Sequence, residues 1–172
     1  MTFFSFFGIE PKLALDPVSL QKRFYELSRQ WHPDRFATKG AEAQRTALEN
    51  TALLNDAFRV LKDPVQRAEY VLEAEGLKAN AQPPAELLEE VLELNMAIEE
   101  LKDGDASVRP QLEHALGQFT AMLDSIDAQL GTLFAEWDST ANRKTLEQVR
   151  AALNRRKYID NLVNTVKQAL AQ

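Results

Sequence analysis

Apolar side chains recur along this chain at alternating steps of three and four, the spacing that gathers them on one face of a helix. Leu20, Phe24, Leu27 and Trp31 make a first stripe, and Leu87, Val91, Leu94, Ile98 and Leu101 a second. Two longer stripes follow: Leu112, Leu116, Phe119, Leu123, Ile126, Leu130, Leu133 and Trp137, then Leu146, Val149, Leu153, Ile159, Val163, Val166 and Leu170. Nowhere do β-branched and polar residues alternate over a strand's length, so the expected fold class is all-α.

Helix-breaking residues delimit the stripes. Asp16-Pro17 places a capping carboxylate before a proline at the first helical position, where a missing N–H costs nothing. That helix is expected to stop at Trp31, because Pro33 disfavours helical backbone at His32. A second helix is expected from near Gly40 to near Lys62, and a third from the Asp63-Pro64 cap to Gly76. Leu77 to Pro84, with its Pro-Pro pair, reads as a linker between a domain of residues 1–76 and one of residues 85–172. The second domain is expected to be a three-helix bundle whose last helix starts at Asp138-Ser139-Thr140.

Composition narrows the function. With no cysteine among 172 residues, disulfides, thiolate nucleophiles and cysteine-ligated metal or iron–sulfur sites are excluded. Two histidines, His32 and His114, leave little imidazole for a metal, and His114 beside Glu113 reads as an exposed polar residue. No cofactor is expected. The net charge of −6 argues against nucleic acid as a partner. The N-terminus is apolar but has no basic flank and meets Glu10 too early for a signal peptide or membrane span, so the expected setting is cytoplasmic. Charge is also unevenly placed. Residues 81–138 carry two Lys/Arg against thirteen Asp/Glu, whereas residues 139–172 carry seven against two, which favours these segments lying side by side.

Opposite the Leu20/Phe24/Leu27/Trp31 stripe, Val18, Lys22, Tyr25 and Arg29 share an outward face, and Arg35 and Lys39 follow in the loop. Most charged helix faces are merely solvated. Here the face abuts His32-Pro33-Asp34, a turn stiffened by proline, which loses little entropy on docking. Two other uses of these residues stand beside docking: His32 as a cap of the preceding helix, and His32 with Asp34 as a small acid/base enzyme. The latter lacks a neighbouring nucleophile and a third orienting group.

The order Phe4-Ser5-Phe6-Phe7-Gly8-Ile9, a basic helix, His32-Pro33-Asp34-Arg35-Phe36, then Leu54-Asn55-Asp56-Ala57-Phe58 with Leu61, Asp63-Pro64, Arg67 and Tyr70, resembles a complete J-domain. Phe36 after the tripeptide, the lack of a Gly/Phe-rich or cysteine-rich region and the acidic helical C-terminal half resemble the HscB branch. That resemblance implies a co-chaperone that stimulates an HscA/DnaK-class ATPase chaperone and delivers the iron–sulfur scaffold IscU to it. His32, Pro33, Asp34, Lys22, Tyr25, Arg29 and Arg35 would then meet the chaperone, with the basic residues steering an acidic surface and Tyr25 as an aromatic anchor. The nucleotide chemistry would be the partner's, since no Gly-x-x-x-x-Gly-Lys-Ser/Thr phosphate loop occurs here.

Leu88, Leu92 and Met96 are apolar residues left over once the 87–101 stripe is complete, and they interleave with Glu89, Glu93 and Glu100. Apolar residues beyond a core stripe mark a candidate partner surface. The same test picks out Tyr158 and Leu162 on the last helix. The HscB resemblance implies a scaffold-binding patch here, with Leu92-Glu93-Leu94 matching a Leu-Glu-Leu motif and Tyr158 an aromatic position; Asn95-Met96 stands where the family usually has Arg-Glu. Aligning on Leu87-Leu88-Glu89 instead would give the core residues Leu87 and Val91 to the partner, so the first register is preferred. The expected scaffold-binding set is Leu88, Leu92, Glu93, Met96 and Tyr158. A generic J-domain protein with another client is the alternative.

Overall fold

The computed structural model describes residues 2–80 and 82–172; Met1 and Ala81, the latter inside the expected linker, lie outside the described residues. Seven α-helices are present among them: α1 (Phe3–Phe7), α2 (Pro17–Gln30), α3 (Ala41–Leu61), α4 (Pro64–Ala74), α5 (Leu88–Lys102), α6 (Arg109–Thr140) and α7 (Arg143–Leu170). No strand occurs among the described residues, as the helical periodicity requires. The chain divides into two compact units, Met1–Leu77 with Phe134–Ala141, and Lys78–Leu133 with Asn142–Gln172.

In the first unit, α1 is closed at its start by a capping box between Thr2 and Ser5 and at its end by Gly8 in the left-handed conformation. Gly8 cannot easily be another residue: its φ is +66°, and an added Cβ would stand 3.3 Å from an Arg23 nitrogen. Arg23 Nε donates to the Phe7 carbonyl at 2.8 Å, so this basic residue of α2 is turned inward to brace α1. Phe3 stacks on Tyr70 with ring centroids 4.7 Å apart, and its N–H donates to the Tyr70 hydroxyl. The α2–α3 hairpin closes over Leu20, Leu27, Leu54, Ala57 and Leu61, with Phe24 stacked on Phe58 at 4.1 Å.

One polar group sits within this apolar unit. Arg67, 4% exposed, donates from Nε to the Leu13 carbonyl at 2.8 Å and from Nη1 to the Leu61 carbonyl at 2.6 Å. The Asp138 carboxylate accepts the Leu13 and Ala14 N–H groups at 2.8 and 3.0 Å. Burial pushes the Arg67 guanidinium below its ordinary pKa, while the negative charges of Asp138 and Asp63 oppose that shift.

In the second unit, the turn Ala85–Leu87 leads into α5, and Asp105 caps the turn Ala106–Val108 ahead of α6. Arg109 at the start of α6 donates to the Leu170 and Gln172 carbonyls at the end of α7, so these two helices run antiparallel. Opposite charges of the two segments meet in ion pairs such as Arg156 with Asp127 at 2.6 Å and Arg155 with Glu86. Leu87, Leu94, Ile98, Leu112, Phe119, Ile126, Leu130, Leu146, Val149, Leu153, Ile159, Val163 and Val166 are buried; Val91, Leu101, Leu116, Leu123 and Leu170 are half-buried at the edges of their stripes.

Two expectations need correction. The last helix does not start at Asp138-Ser139-Thr140: α6 runs on to Thr140, Ala141 breaks it with φ +53°, and Asn142 caps α7 by accepting from the Lys144 N–H. Asp138 looked like a cap because its carboxylate is a backbone acceptor, but the N–H groups it accepts belong to Leu13 and Ala14. Leu162 is not a surface residue either. At 9% exposed it extends the α7 core stripe sideways.

Replacing Arg67 by alanine orphans two backbone carbonyls, each costing about 1–3 kcal/mol. Both tryptophans, Trp31 and Trp137, lie in the first unit, so urea unfolding followed by tryptophan fluorescence reads that unit selectively. The expected loss for Arg67→Ala is about 3 kcal/mol. Because Arg67 and Asp138 hold the same residue, the Arg67→Ala/Asp138→Ala double variant should lose less than the two single losses combined.

Candidate docking surfaces

The first surface begins with the start of α2. Asp16 accepts the Val18 and Ser19 N–H groups and the Ser19 hydroxyl, and Pro17 occupies the first helical position. Helical spacing from that cap puts Val18, Lys22, Tyr25 and Arg29 on the outward face, and all four are exposed. Tyr25 is steadied by a 3.3 Å hydrogen bond from Gln21 to its hydroxyl and by its tilted contact with the Phe24 ring. Arg35 reaches back to donate to the Arg29 carbonyl at 3.3 Å, covering one unsatisfied carbonyl at the helix end. Arg23, next to Lys22 in the chain, does not join this face and is committed to Phe7 and Glu26.

Trp31 ends α2, and Pro33–Phe36 form a single 3-10 turn. His32 caps this following turn rather than the preceding helix, its Nδ1 accepting from the Asp34 N–H at 3.2 Å. With Nδ1 turned to the Asp34 N–H, Nε2 is the ring nitrogen left to meet a partner. The Asp34 carboxylate lies 3.6 Å from the same Nδ1, and the two side chains are 58% and 92% exposed. This is an open turn with no enclosing wall, which suits contact with a partner and not acid/base chemistry on a sequestered substrate. The turn is braced from behind: Trp31 stacks on Phe36, Thr51 donates to the Trp31 carbonyl, and Gln44 donates to the Ala37 carbonyl at 2.7 Å. Tyr25, Ser28, Arg29, His32 and Arg35 line a shallow depression at the junction of helix and turn.

The second surface lies on α5. Leu87, Leu94, Ala97 and Ile98 are core, whereas Leu88, Leu92 and Met96 are 53%, 62% and 56% exposed, with Glu93 exposed among them. The Arg155–Glu86 ion pair sets the start of α5 level with Arg155, one turn before Tyr158 on α7. Tyr158 is half-buried and lines a small hollow with Ala79, Asn80, Asn154, Lys157 and Asn161. His114 is exposed on α6. Among the described residues no group of three His, Cys, Asp or Glu side chains is placed to hold a metal, and no helix is long and apolar enough to cross a membrane.

Known proteins are similar to this chain over nearly its whole length. The co-chaperone protein HscB homolog of Vibrio vulnificus strain CMCP6 is 33% identical over 97% of this chain and 95% of its own length. The chain belongs to the HscB family. Its residues 2–70 match the DnaJ domain model, and residues 83–167 match the model described as the HSCB C-terminal oligomerisation domain. The HscB homolog of Shewanella loihica is 30% identical over 98% of this chain and 97% of its own length. Among solved structures, chaperone HscB from Vibrio cholerae superposes with a TM-score of 0.68 at 29% identity, covering 100% of this chain and 99% of that one. The human co-chaperone protein HscB, at 20% identity and a TM-score of 0.62, covers 98% of this chain and 81% of that one and shares the fold. This HscB-family chain therefore pairs an N-terminal J-domain with an HscB-type helical C-terminal part.

One exposed apolar residue, Leu48 on α3, escaped the sequence reading. The signal was available: Ala47, Leu54, Ala57 and Leu61 form the buried stripe of α3, and Leu48 falls outside it.

Hydrogen bonds from the Ser19 hydroxyl and N–H hold the Asp16 carboxyl below its ordinary pKa of 3.8, the hydroxyl contributing most. A depressed folded-state pKa means the cap stabilises α2 above pH 3.8 and fades as pH falls through the lower value. Ser19→Ala should return the Asp16 titration, followed by carboxyl-carbon NMR, toward 3.8.

Proposed function

We propose that this chain is an adaptor with two protein-binding surfaces. Its J-domain docks on an Hsp70-type ATPase chaperone of the HscA/DnaK class and speeds that chaperone's ATP hydrolysis. Its C-terminal surface holds an IscU-like iron–sulfur scaffold and delivers it for cluster transfer. The observation that carries the first half is the braced, exposed His32-Pro33-Asp34 turn beside the Lys22/Tyr25/Arg29/Arg35 face. His32 Nε2 and the Asp34 carboxylate are presented from a turn that needs little ordering, and the cations favour an acidic partner. J-domain proteins are in general not enzymes, and docking accelerates hydrolysis only if the surface binds the chaperone's reactive conformation better than its resting one.

The second half is supported by Leu88, Leu92 and Met96, an apolar strip within glutamates on the face of α5 turned away from its core. Leu87, 2% exposed, belongs to the core, which favours the register beginning at Leu92. With no cysteine, this chain serves iron–sulfur assembly by holding proteins and not by holding the cluster.

Two experiments test the halves separately. His32→Gln should remove stimulation of a DnaK-class ATPase, measured as phosphate release per chaperone, while circular dichroism stays unchanged; full stimulation by the variant would refute the docking role. The Leu92→Ala/Met96→Ala/Tyr158→Ala variant should lose scaffold binding by at least tenfold in titration calorimetry, as expected when anchors worth about 1 kcal/mol or more are removed together. It should keep its helicity and its ATPase stimulation.

A further inference from the structure

With no cysteine in the chain, the side chains most open to two-electron oxidation are the thioethers of Met1, Met96 and Met122. Met1 lies outside the described residues. Met122 is half-buried on α6, where it lines the groove between α6 and α7 with Ile126 and Ala152. Met96 is 56% exposed on α5 and continues the row of Leu88 and Leu92 at steps of four. Its neighbours one turn away on either side are Leu92, Glu93, Glu99 and Glu100. An aliphatic side chain has no polar hydrogen, and ionised carboxylates accept hydrogen bonds without donating any. Nothing one turn away therefore offers a hydrogen bond to an acceptor placed on the Met96 sulfur.

We propose that Met96 is a modification site, oxidised to the sulfoxide by a peroxide, and that the added oxygen switches off scaffold binding at the α5 strip. The inference rests on the scaffold-binding reading above and adds a regulation of that surface. A lone pair of the Met96 Sδ attacks one peroxide oxygen and the O–O bond breaks. The other oxygen leaves as hydroxide, takes the proton from the new S–OH group and departs as water. The sulfur gives up two electrons and the peroxide gains them. A thiol-dependent methionine sulfoxide reductase reverses the change, removing the oxygen as water while two thiols become a disulfide.

The position makes the modification act on affinity and not on folding. In the free chain the sulfoxide oxygen is hydrated, because the side chain is exposed. Under a partner's apolar surface the same oxygen is cut off from water, with no donor among Leu92, Glu93, Glu99 and Glu100, and a buried acceptor left unpaired is costly. The carboxylates beside it add repulsion against the negative end of the S–O dipole. The J-domain surface is untouched, since no methionine occurs between residues 2 and 95. Peroxide thus separates the two proposed surfaces of one chain.

The test treats the full-length chain, Met96→Leu and Met122→Leu with hydrogen peroxide and removes the peroxide with catalase. Each is then titrated against an IscU-like scaffold by calorimetry. Trypsin, cutting after Lys78 and Lys102, separates Met96 from Met122, so mass spectrometry reads the added oxygen at each site. The expected result is faster oxidation of Met96 than of Met122 and a loss of scaffold affinity of about tenfold or more in the oxidised chain. Sulfoxide reductase restores that affinity, peroxide leaves Met96→Leu unaffected, and Met122→Leu responds as the unmodified chain does. Circular dichroism and stimulation of a DnaK-class ATPase stay unchanged throughout. Full scaffold affinity with Met96 completely oxidised overturns the switch and leaves the scaffold reading standing. An equal loss in peroxide-treated Met96→Leu also overturns it, by placing the sensitive group elsewhere. Absence of scaffold binding by the untreated chain overturns the scaffold reading itself and the switch with it.

Discussion

The first unit depends on the way Arg67 and Asp138 hold residue 13. Between the end of α1 and the cap of α2 the backbone has no regular hydrogen-bond pattern, yet Leu13 is fully buried. Its carbonyl is bound by Arg67, 54 residues on, and its N–H by Asp138, 125 residues on. An arginine suits this role because its rigid fork reaches the Leu13 and Leu61 carbonyls at once and stays charged despite burial. Desolvating a guanidinium is expensive. The two hydrogen bonds to carbonyls and the nearby carboxylates of Asp63 and Asp138 offset the expense. The consequence reaches function through Asp16: fixing Leu13 fixes where α2 begins, and the rotational setting of α2 decides which side chains lie on the basic face.

The same logic of long-range pinning operates at the turn. Pro33 restricts the backbone, but the turn's orientation comes from Gln44, Thr51 and the Trp31–Phe36 stack, all behind it. His32 adds a local term by capping its own turn, which ties its ring orientation to the backbone. The His-Pro-Asp order therefore has a physical meaning: the cap, the rigid residue and the exposed carboxylate are three requirements of one short structure.

Most of the fold was legible because helix faces are written locally. The stripes from Leu20 to Leu170 separate core from surface wherever the period is continuous, and they left Leu88, Leu92 and Met96 outside the core, where the structure also has them. Legibility failed where a residue answers to a distant partner. Asp138-Ser139-Thr140 has the composition of a helix start, and only the Leu13 and Ala14 N–H groups reveal why an aspartate sits there. Arg67 belongs to the sequence motif, but its role of holding the Leu13 and Leu61 carbonyls shows only once its burial is known. Leu162 was misplaced because a helix packed between two others buries a wider arc than a single three-four stripe. Leu48 was legible in principle, since its own helix marks it as off-stripe.

J-domain co-chaperones are generally not enzymes themselves, so an adaptor built on a J-domain influences chemistry through the affinities of its surfaces. For the proposed adaptor this has a quantitative sense. Once the scaffold is held on α5 and the J-domain is docked, the client's encounter with the chaperone is no longer bimolecular. Covalent linkage of two binding modules typically sets effective concentrations in the millimolar range. Neither surface then needs high affinity by itself, and moderate affinity is an advantage, because an adaptor that releases slowly would block the next client. An exposed strip of three flexible apolar side chains in an acidic setting, and a polar turn backed by modest hollows, are both built for contacts of that strength.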